Sequence, residues 1–562
     1  MKPSSRFTHR FSLLLPVLLV AAGCTKTETT VVPVDRFDTK PKEALKEADA
    51  KGEVENWFVK SPEKDGVEGV SADRAYAELG LAPGQKIIVA VIDSGVDINH
   101  EDLKGKIWVN TGEIPANQID DDKNGYIDDV NGWNFIGGYD SAGKPRQIES
   151  EQLEQMREVV RLKAKKAAAG GALSAEDQLL LDKVTKDVDD GRKEAQASVD
   201  KNTAILGKLK AQYDILQAAL AKKFEEVTLS DVLALKATEP ALSAAREQLI
   251  SIFKDNGVAD VARVAGRIAN AQGTLDKYLN ESFQPRKDIV GDDPYDYSDR
   301  NYGNNVVHSP GDEHGTHVSG IIAANRGNGI GIDGIASNAV IMPIRAVPDG
   351  DERDKDIANA VRYAVDNGAR VINMSFGKKY SPGKDAVDAA MLYAEAHGVL
   401  IVHAAGNENA DNDGGKGNFP NRHVAVTPGR DIATWLEIGA SSAIRGEQLP
   451  ADFSNYGQHD VDFFSPGVKI RSTTPDNTYS VYSGTSMASP ATAGVAALIL
   501  GQKPGLTGEQ LRSQLRASVR TYDGLVVRLP GADPIQSVLF SRLSSTGGIV
   551  DVFKTLKSVL GL

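Results

Sequence analysis

Two kinds of segment take turns along much of this chain: short, mostly apolar runs, and stretches whose apolar residues recur at helical spacing. Residues 86 to 96 form a continuous β-branched run that closes on a carboxylate, Asp93. Residues 370 to 375 and 399 to 405 are further apolar runs, and each follows a helical stretch, 354 to 367 and 384 to 397 respectively. A strand with no polar face is buried on both sides. Alternation of such strands with helices predicts βαβ units, hence an α/β fold with a mostly parallel sheet and helices on both faces.

Between residues 149 and 287 the pattern changes. Ala, Leu, Lys, Glu and Asp dominate there and aromatic residues almost vanish. Leu206, Leu209, Tyr213, Leu216 and Leu220 recur at alternating steps of three and four, the spacing of a helical seam. Pro240 and Gly257 divide the region, which predicts a helical hairpin or small bundle. Beyond it, a tight turn from Ser483 to Ser486 opens an apolar helix, a second helix is expected from Thr507, and a terminal helix follows Asp551. That leaves no room for a separate C-terminal binding domain.

At the other end, Lys2, Arg6 and Arg10 precede an apolar stretch over 11 to 22 and then Ala21-Ala22-Gly23-Cys24, the three-part plan of an export signal. The stretch is too short for a membrane span and contains Pro16. Residues 25 to 50 are polar and read as a tether. The 562 residues, 41% hydrophobic and 25% charged, suit one large α/β domain with an accessory region. A formal net charge of -13 argues against a nucleic-acid partner. With Cys24 the single cysteine, an internal disulfide is excluded.

Ser486 sits where a helix N-terminus points unpaired N–H groups at it, a place suited to a nucleophile whose attack creates a negative oxygen. Alone, a serine in such a turn is usually only a helix cap. A hydroxyl nucleophile needs a base and a group that orients the base. His314 and Asp93 supply those residue types. His314 and His317 have an HxxH spacing, but the glutamate of a zinc helix is missing and Gly315 interrupts the turn. Open parallel sheets bind ligands at the carboxyl ends of their strands, and Asp93, Ser375 and Asn407 all fall at such ends.

The chain order Asp93, His314, Ser486, with the residues around each, resembles the subtilisin-like serine proteases. The segment Ala404-Ala405-Gly406-Asn407-Glu408 resembles that family's oxyanion segment, and Asn373-Met374-Ser375-Phe376-Gly377 resembles the one that pairs with an extended substrate. Phe453-Ser454-Asn455-Tyr456-Gly457 and Phe464-Ser465-Pro466-Gly467 resemble the stretch before the serine turn. The resemblance covers residues 51 to 148 and 288 to 562. It implies a subtilisin-like three-layer sandwich in two sequence pieces, with 149 to 287 an inserted helical hairpin or bundle.

It also implies a serine endopeptidase acting on polypeptide substrates, in which Ser486 attacks, His314 carries the proton and Asp93 orients the imidazole. Asn407 would hold the oxyanion, though a turn asparagine after a strand is common. Ser375, Phe376 and Gly377 with Ala404, Ala405 and Gly406 would bind substrate. The leader resembles a bacterial lipoprotein signal, with Ala21 where Leu is commoner, so Cys24 becomes a lipid-modified terminus that anchors an exported protein to the cell envelope. A catalytically silent binding scaffold and a serine esterase are the rival readings. The helical insertion is open between self-packing, a lid, a spacer and an arm that docks an unknown partner. Residues 56 to 76 resemble the lead-in to the catalytic domain, so no folding propeptide is evident, and the insertion is a candidate to assist folding.

Downstream of Asp93, Asp120, Asp122 and Asn124 alternate ahead of Gly125, as in the first half of an EF-hand loop, although Asn131 stands where the closing glutamate would be. Asp120, Asp122, Asn124, the Tyr126 carbonyl and Asp128 are the expected ligands of a structural Ca2+, with Asp129 as an addition. A solvated acidic turn is the alternative. Asn409, Asp411 and Asp413 repeat the alternation weakly and read as a solvated loop.

Overall fold

Side chains along the strand Ile87–Asp93 divide between two cores: Val89 and Val91 join one, Ala90 and Ile92 the other. Val371 and Leu400 fall on the first side, and Ile372 and Ile401 on the second. That is why these runs are apolar on both faces, with Asn373 and His403 as buried polar exceptions. The first core is completed by the helices Glu313–Ala323 and Thr485–Gln502, the second by Asp354–Asp366 and Lys384–Ala396. The result is a three-layer α/β sandwich. This computed structural model describes residues 56–309, 311–415 and 418–562; the leader, Cys24 and the tether lie outside them.

Among the described residues the main sheet has nine strands. Their order is Arg520–Thr521, Gly548–Ile549, Phe463–Pro466, Trp435–Ser441, Leu400–Ala404, Val371–Met374, Ile87–Asp93, Ala339–Arg345 and Trp133–Asn134. Pairing is parallel except between the first two. Ile92 lies opposite Met374, and Met374 opposite His403. This register levels the strand ends, so Asp93, Ser375 and Ala405 leave the sheet at one rim.

The region of changed pattern folds into the helices Glu154–Ala168, Ala175–Leu220, Pro240–Asp255 and Val261–Gly273. At a rise of 1.5 Å per residue the second spans about 70 Å. Ser174 caps it by accepting from the N–H of Asp177 at 3.1 Å. Pro240 occupies a first-turn position, where a missing N–H costs nothing, and Gly257 follows that helix with φ +57°. Leu209, Tyr213 and Leu216 meet Leu249, Phe253 and Val264 in a core of their own, with Leu206 and Leu220 on its margin. Nearer the sheet, Met156, Val159 and Leu162 pack with Leu181, Val184 and Val188 around Tyr380. Among the described residues no helix is long and apolar enough to cross a membrane.

Candidate active site

Asp93 is the last residue of its strand and is 2% exposed. Its Oδ1 lies 2.7 Å from His314 Nδ1 and accepts from the N–H of Ser94 at 2.7 Å, while Oδ2 has no hydrogen-bond partner among the described residues. His314 is the second residue of the helix Glu313–Ala323. The next position must be glycine, because a Cβ at Gly315 would stand 2.0 Å from the Gly95 carbonyl; that close approach seats the helix on the strand end. Burial of the imidazole works against its charge, but the Asp93 carboxylate outweighs this and raises the His314 pKa above the ordinary value of about 6.5. The bond to Asp93 fixes the proton on Nδ1, leaving Nε2 as the basic nitrogen.

Ser486 occupies the second position of the helix Thr485–Gln502, whose first N–H groups have no intrahelical acceptor. Its Oγ donates to the Ser375 carbonyl at 3.1 Å, and Ser375 Oγ donates back to the Ser486 carbonyl at 3.0 Å. Behind this pair, Ser489 donates to Asn373 at 2.8 Å and Asn373 to Ser375 at 3.0 Å. The serine helix is thereby stitched to the end of the strand next to the one that carries Asp93. Among the described residues no hydrogen bond joins Ser486 to His314. The hydroxyl rests on the Ser375 carbonyl.

Asn407 follows the strand Leu400–Ala404. Its Oδ1 accepts from the Thr485 N–H at 2.8 Å and from the Thr485 hydroxyl at 3.0 Å. With the oxygen so engaged, the amide NH2 is the end left to donate beside Ser486. Ser375 is buried, and Phe376 packs edge-on against His403 at 6.3 Å. Gly406 donates to Thr485 Oγ1 at 3.1 Å.

Two asparagines brace this rim, of which Asn418 lies in none of the motifs and Asn455 lies in one. Asn418 donates to the carbonyls of Ala404 and Ala405, and a Cβ on Gly377 would meet its Oδ1 at 2.3 Å, so it wedges between both expected substrate-binding segments. Asn455 accepts from the N–H groups of Glu408 and Ala410 and donates to the Ala405 carbonyl, which gives the Phe453 to Gly457 motif its structural reason. The Asp413 carboxylate, expected in a solvated loop, accepts backbone N–H groups from Gln458, His459 and Asp460.

In the acidic loop, Asp120 and Asp122 come together with Glu113, one carboxylate oxygen from each within 4.8 Å of the others. Asn124 turns its Oδ1 to the Tyr126 N–H. Asp128, in left-handed backbone at φ 53°, aims its carboxylate at the N–H groups of Asn117 and Gln118 instead. Asp129 accepts from Asn110, Asn124 and the Tyr363 phenol. Among the described residues no lysine or arginine forms an ion pair with these carboxylates. An all-oxygen set with uncompensated negative charge fits a hard divalent cation.

Residues 84–532 match a family model described as the Subtilase family. The chain is 35% identical over 215 residues to Subtilisin NAT of Bacillus subtilis subsp. natto, covering 38% of this chain and 52% of that protein. It is also 35% identical over 215 residues to Subtilisin of Bacillus pumilus, covering 38% of this chain and 72% of that one. To the Thermophilic serine proteinase of Bacillus sp. (strain AK1) it is 38% identical over 231 residues, 41% of this chain and 51% of that protein. The chain matches about half the length of the first of these relatives.

Proposed function

Because this chain belongs to the subtilase family, we propose that it is a serine endopeptidase, cleaving polypeptides through Asp93, His314 and Ser486 by way of an acyl-enzyme. The observation that carries the reading is the 2.7 Å contact between His314 and a buried Asp93 on the rim where the serine helix begins. Ser486 Oγ leaves the Ser375 carbonyl, gives its proton to His314 Nε2 and attacks the substrate carbonyl carbon. The imidazolium, stabilised by Asp93, then protonates the leaving amine, and water repeats the sequence to release the acid. Asn407 and the Ser486 N–H receive the oxyanion. Ser375, Phe376 and Gly377 on one side, and Ala404, Ala405 and Gly406 on the other, hold the substrate extended.

Glu113, Asp120 and Asp122 would hold a structural calcium; bound there, the ion would neutralise the loop's charge and take no part in the chemistry. Residues 1 to 23 act as a lipoprotein signal, and Cys24 anchors the exported enzyme to the bacterial envelope. The catalytic domain comprises residues 51 to 148 and 288 to 562, and 149 to 287 is a helical insertion within it.

Labelling with a fluorophosphonate probe tests the nucleophile, with loss of label in Ser486→Ala expected. Absence of label in the unaltered chain would leave the silent scaffold, and turnover of a short-chain ester without casein would leave the esterase.

A further inference from the structure

The three residues directly after Gly377 are gripped by the helical block. Lys378 is 5% exposed. Its Nζ donates to Glu154 Oε2 at 2.7 Å and to the Glu352 carbonyl at 2.9 Å, and lies 2.8 Å from Asp354 Oδ1. An ammonium has three donors, and each has a partner. Glu154 opens the helix Glu154–Ala168 and also pairs with Arg157, which donates to the carbonyls of Gln152, Asp351 and Glu352. Burial opposes the charge on Glu154, yet Arg157 and Lys378 together hold its carboxyl well below the usual carboxylate range. The next two residues have a different anchor: Lys379 Nζ donates to Asp187 of the long helix at 2.8 Å, and the Tyr380 phenol donates to the same carboxylate.

A bundle that only packs on itself needs none of this. Burying a lysine and a glutamate at a junction is costly unless the geometry is good and every donor is met, and an apolar pair would join the two parts as well. What the ionic junction adds is a fixed position for the backbone at 378. That backbone exchanges N–H and carbonyl bonds with Phe419, at 2.9 Å each way, so the grip extends to the wall braced by Asn418. A strand that is to receive an extended peptide binds more tightly if it is already held in the bound conformation.

Resting on the peptidase reading of Ser375 to Gly377, we propose that the helical block positions this substrate-binding strand. Lys378, held by Glu154, is the positioning residue, Asp187 anchors Lys379 and Tyr380 beside it, and what they set is affinity for extended polypeptide rather than the chemistry at the scissile bond.

The full chain tests this with Asp187→Asn, Glu154→Gln and, as a control on the solvent side of the same helix, Asp189→Asn. Each is assayed for KM and kcat on an extended peptide and on a small ester, for fluorophosphonate labelling rate and for melting temperature. Asp187→Asn is expected to raise the peptide KM roughly three- to tenfold, the scale of a lost charge-assisted hydrogen bond. Peptide kcat, ester turnover and labelling should stay within about twofold, since nothing at the reacting atoms changes. Glu154→Gln should do more, Asp189→Asn nothing, and Asp187→Glu should restore the peptide KM. If Glu154→Gln fails to fold, the half-buried Asp187 variants decide alone. A peptide KM unmoved in folded Asp187→Asn overturns the proposal, as does an equal loss on peptide and ester that tracks the melting temperature. An unaltered chain that takes no label at Ser486 overturns the peptidase reading, and this proposal with it, which distinguishes the two failures.

Discussion

The helix that begins at Thr485 buries 16 of its 18 residues, whereas the helix Ala175–Leu220 buries nine of its 46. The first is fixed from every side, by both neighbouring helices and the sheet, so its N-terminus can hold donors to the fraction of an ångström that catalysis requires. The second is fixed along one stripe and is free to be long. Chemistry belongs to the first kind of helix and reach to the second. Between them lies the ionic junction at Lys378, where the loosely specified region grips the residues that follow the tightly specified rim.

Experiments that break this contrast differ widely in expected effect. Ser486→Ala should lower kcat on the order of a millionfold with the fold intact, measured by single-turnover peptide cleavage beside the melting curve. Asn407→Ala should cost on the order of a hundredfold or more in kcat with KM little changed, as expected for a donor used only in the transition state. On the other side of the comparison, Leu209→Ala removes a fully buried residue of the bundle core. It should lower the block's stability by about 2–5 kcal/mol, read by hydrogen exchange over 175 to 273, while ester turnover stays unchanged. The smallest effect belongs to the acidic loop. Chelation should lower the melting temperature by several degrees and Asp120→Asn should abolish that response, because a ligand bound only to the folded state stabilises by mass action.

Much of the body is legible in the sequence because its signals are local. A strand buried on both faces is apolar at nearly every position, and Asp93, His314 and Ser486 each sit in a run whose neighbours declare the element. The braces are harder. Asn418 and Asn455 act on the carbonyl and N–H groups of residues 404 to 410; no motif marks Asn418, and the Phe453 to Gly457 motif flags Asn455 without showing its partners. Glu113 joins Asp120 and Asp122 only because the loop folds back, and Asp128 leaves them because its left-handed backbone turns its carboxylate toward residues 117 and 118. The junction is least legible: Glu154 and Lys378 are 224 positions apart, and each alone reads as an ordinary surface charge. The resting bond of Ser486 to the Ser375 carbonyl is likewise a rotamer choice that no pattern encodes.

The central claim is that Asp93, His314 and Ser486 act as one unit, and the rate of fluorophosphonate labelling against pH tests it most directly. Neutral His314 is the working form, and Asp93 raises its pKa, so the rate should be full at alkaline pH and fall tenfold per unit once pH drops below a midpoint lying above about 6.5. Asp93→Asn should cut the plateau on the order of ten-thousandfold and move the midpoint down. A rate that is independent of pH, or that Asp93→Asn leaves unchanged, would contradict the account.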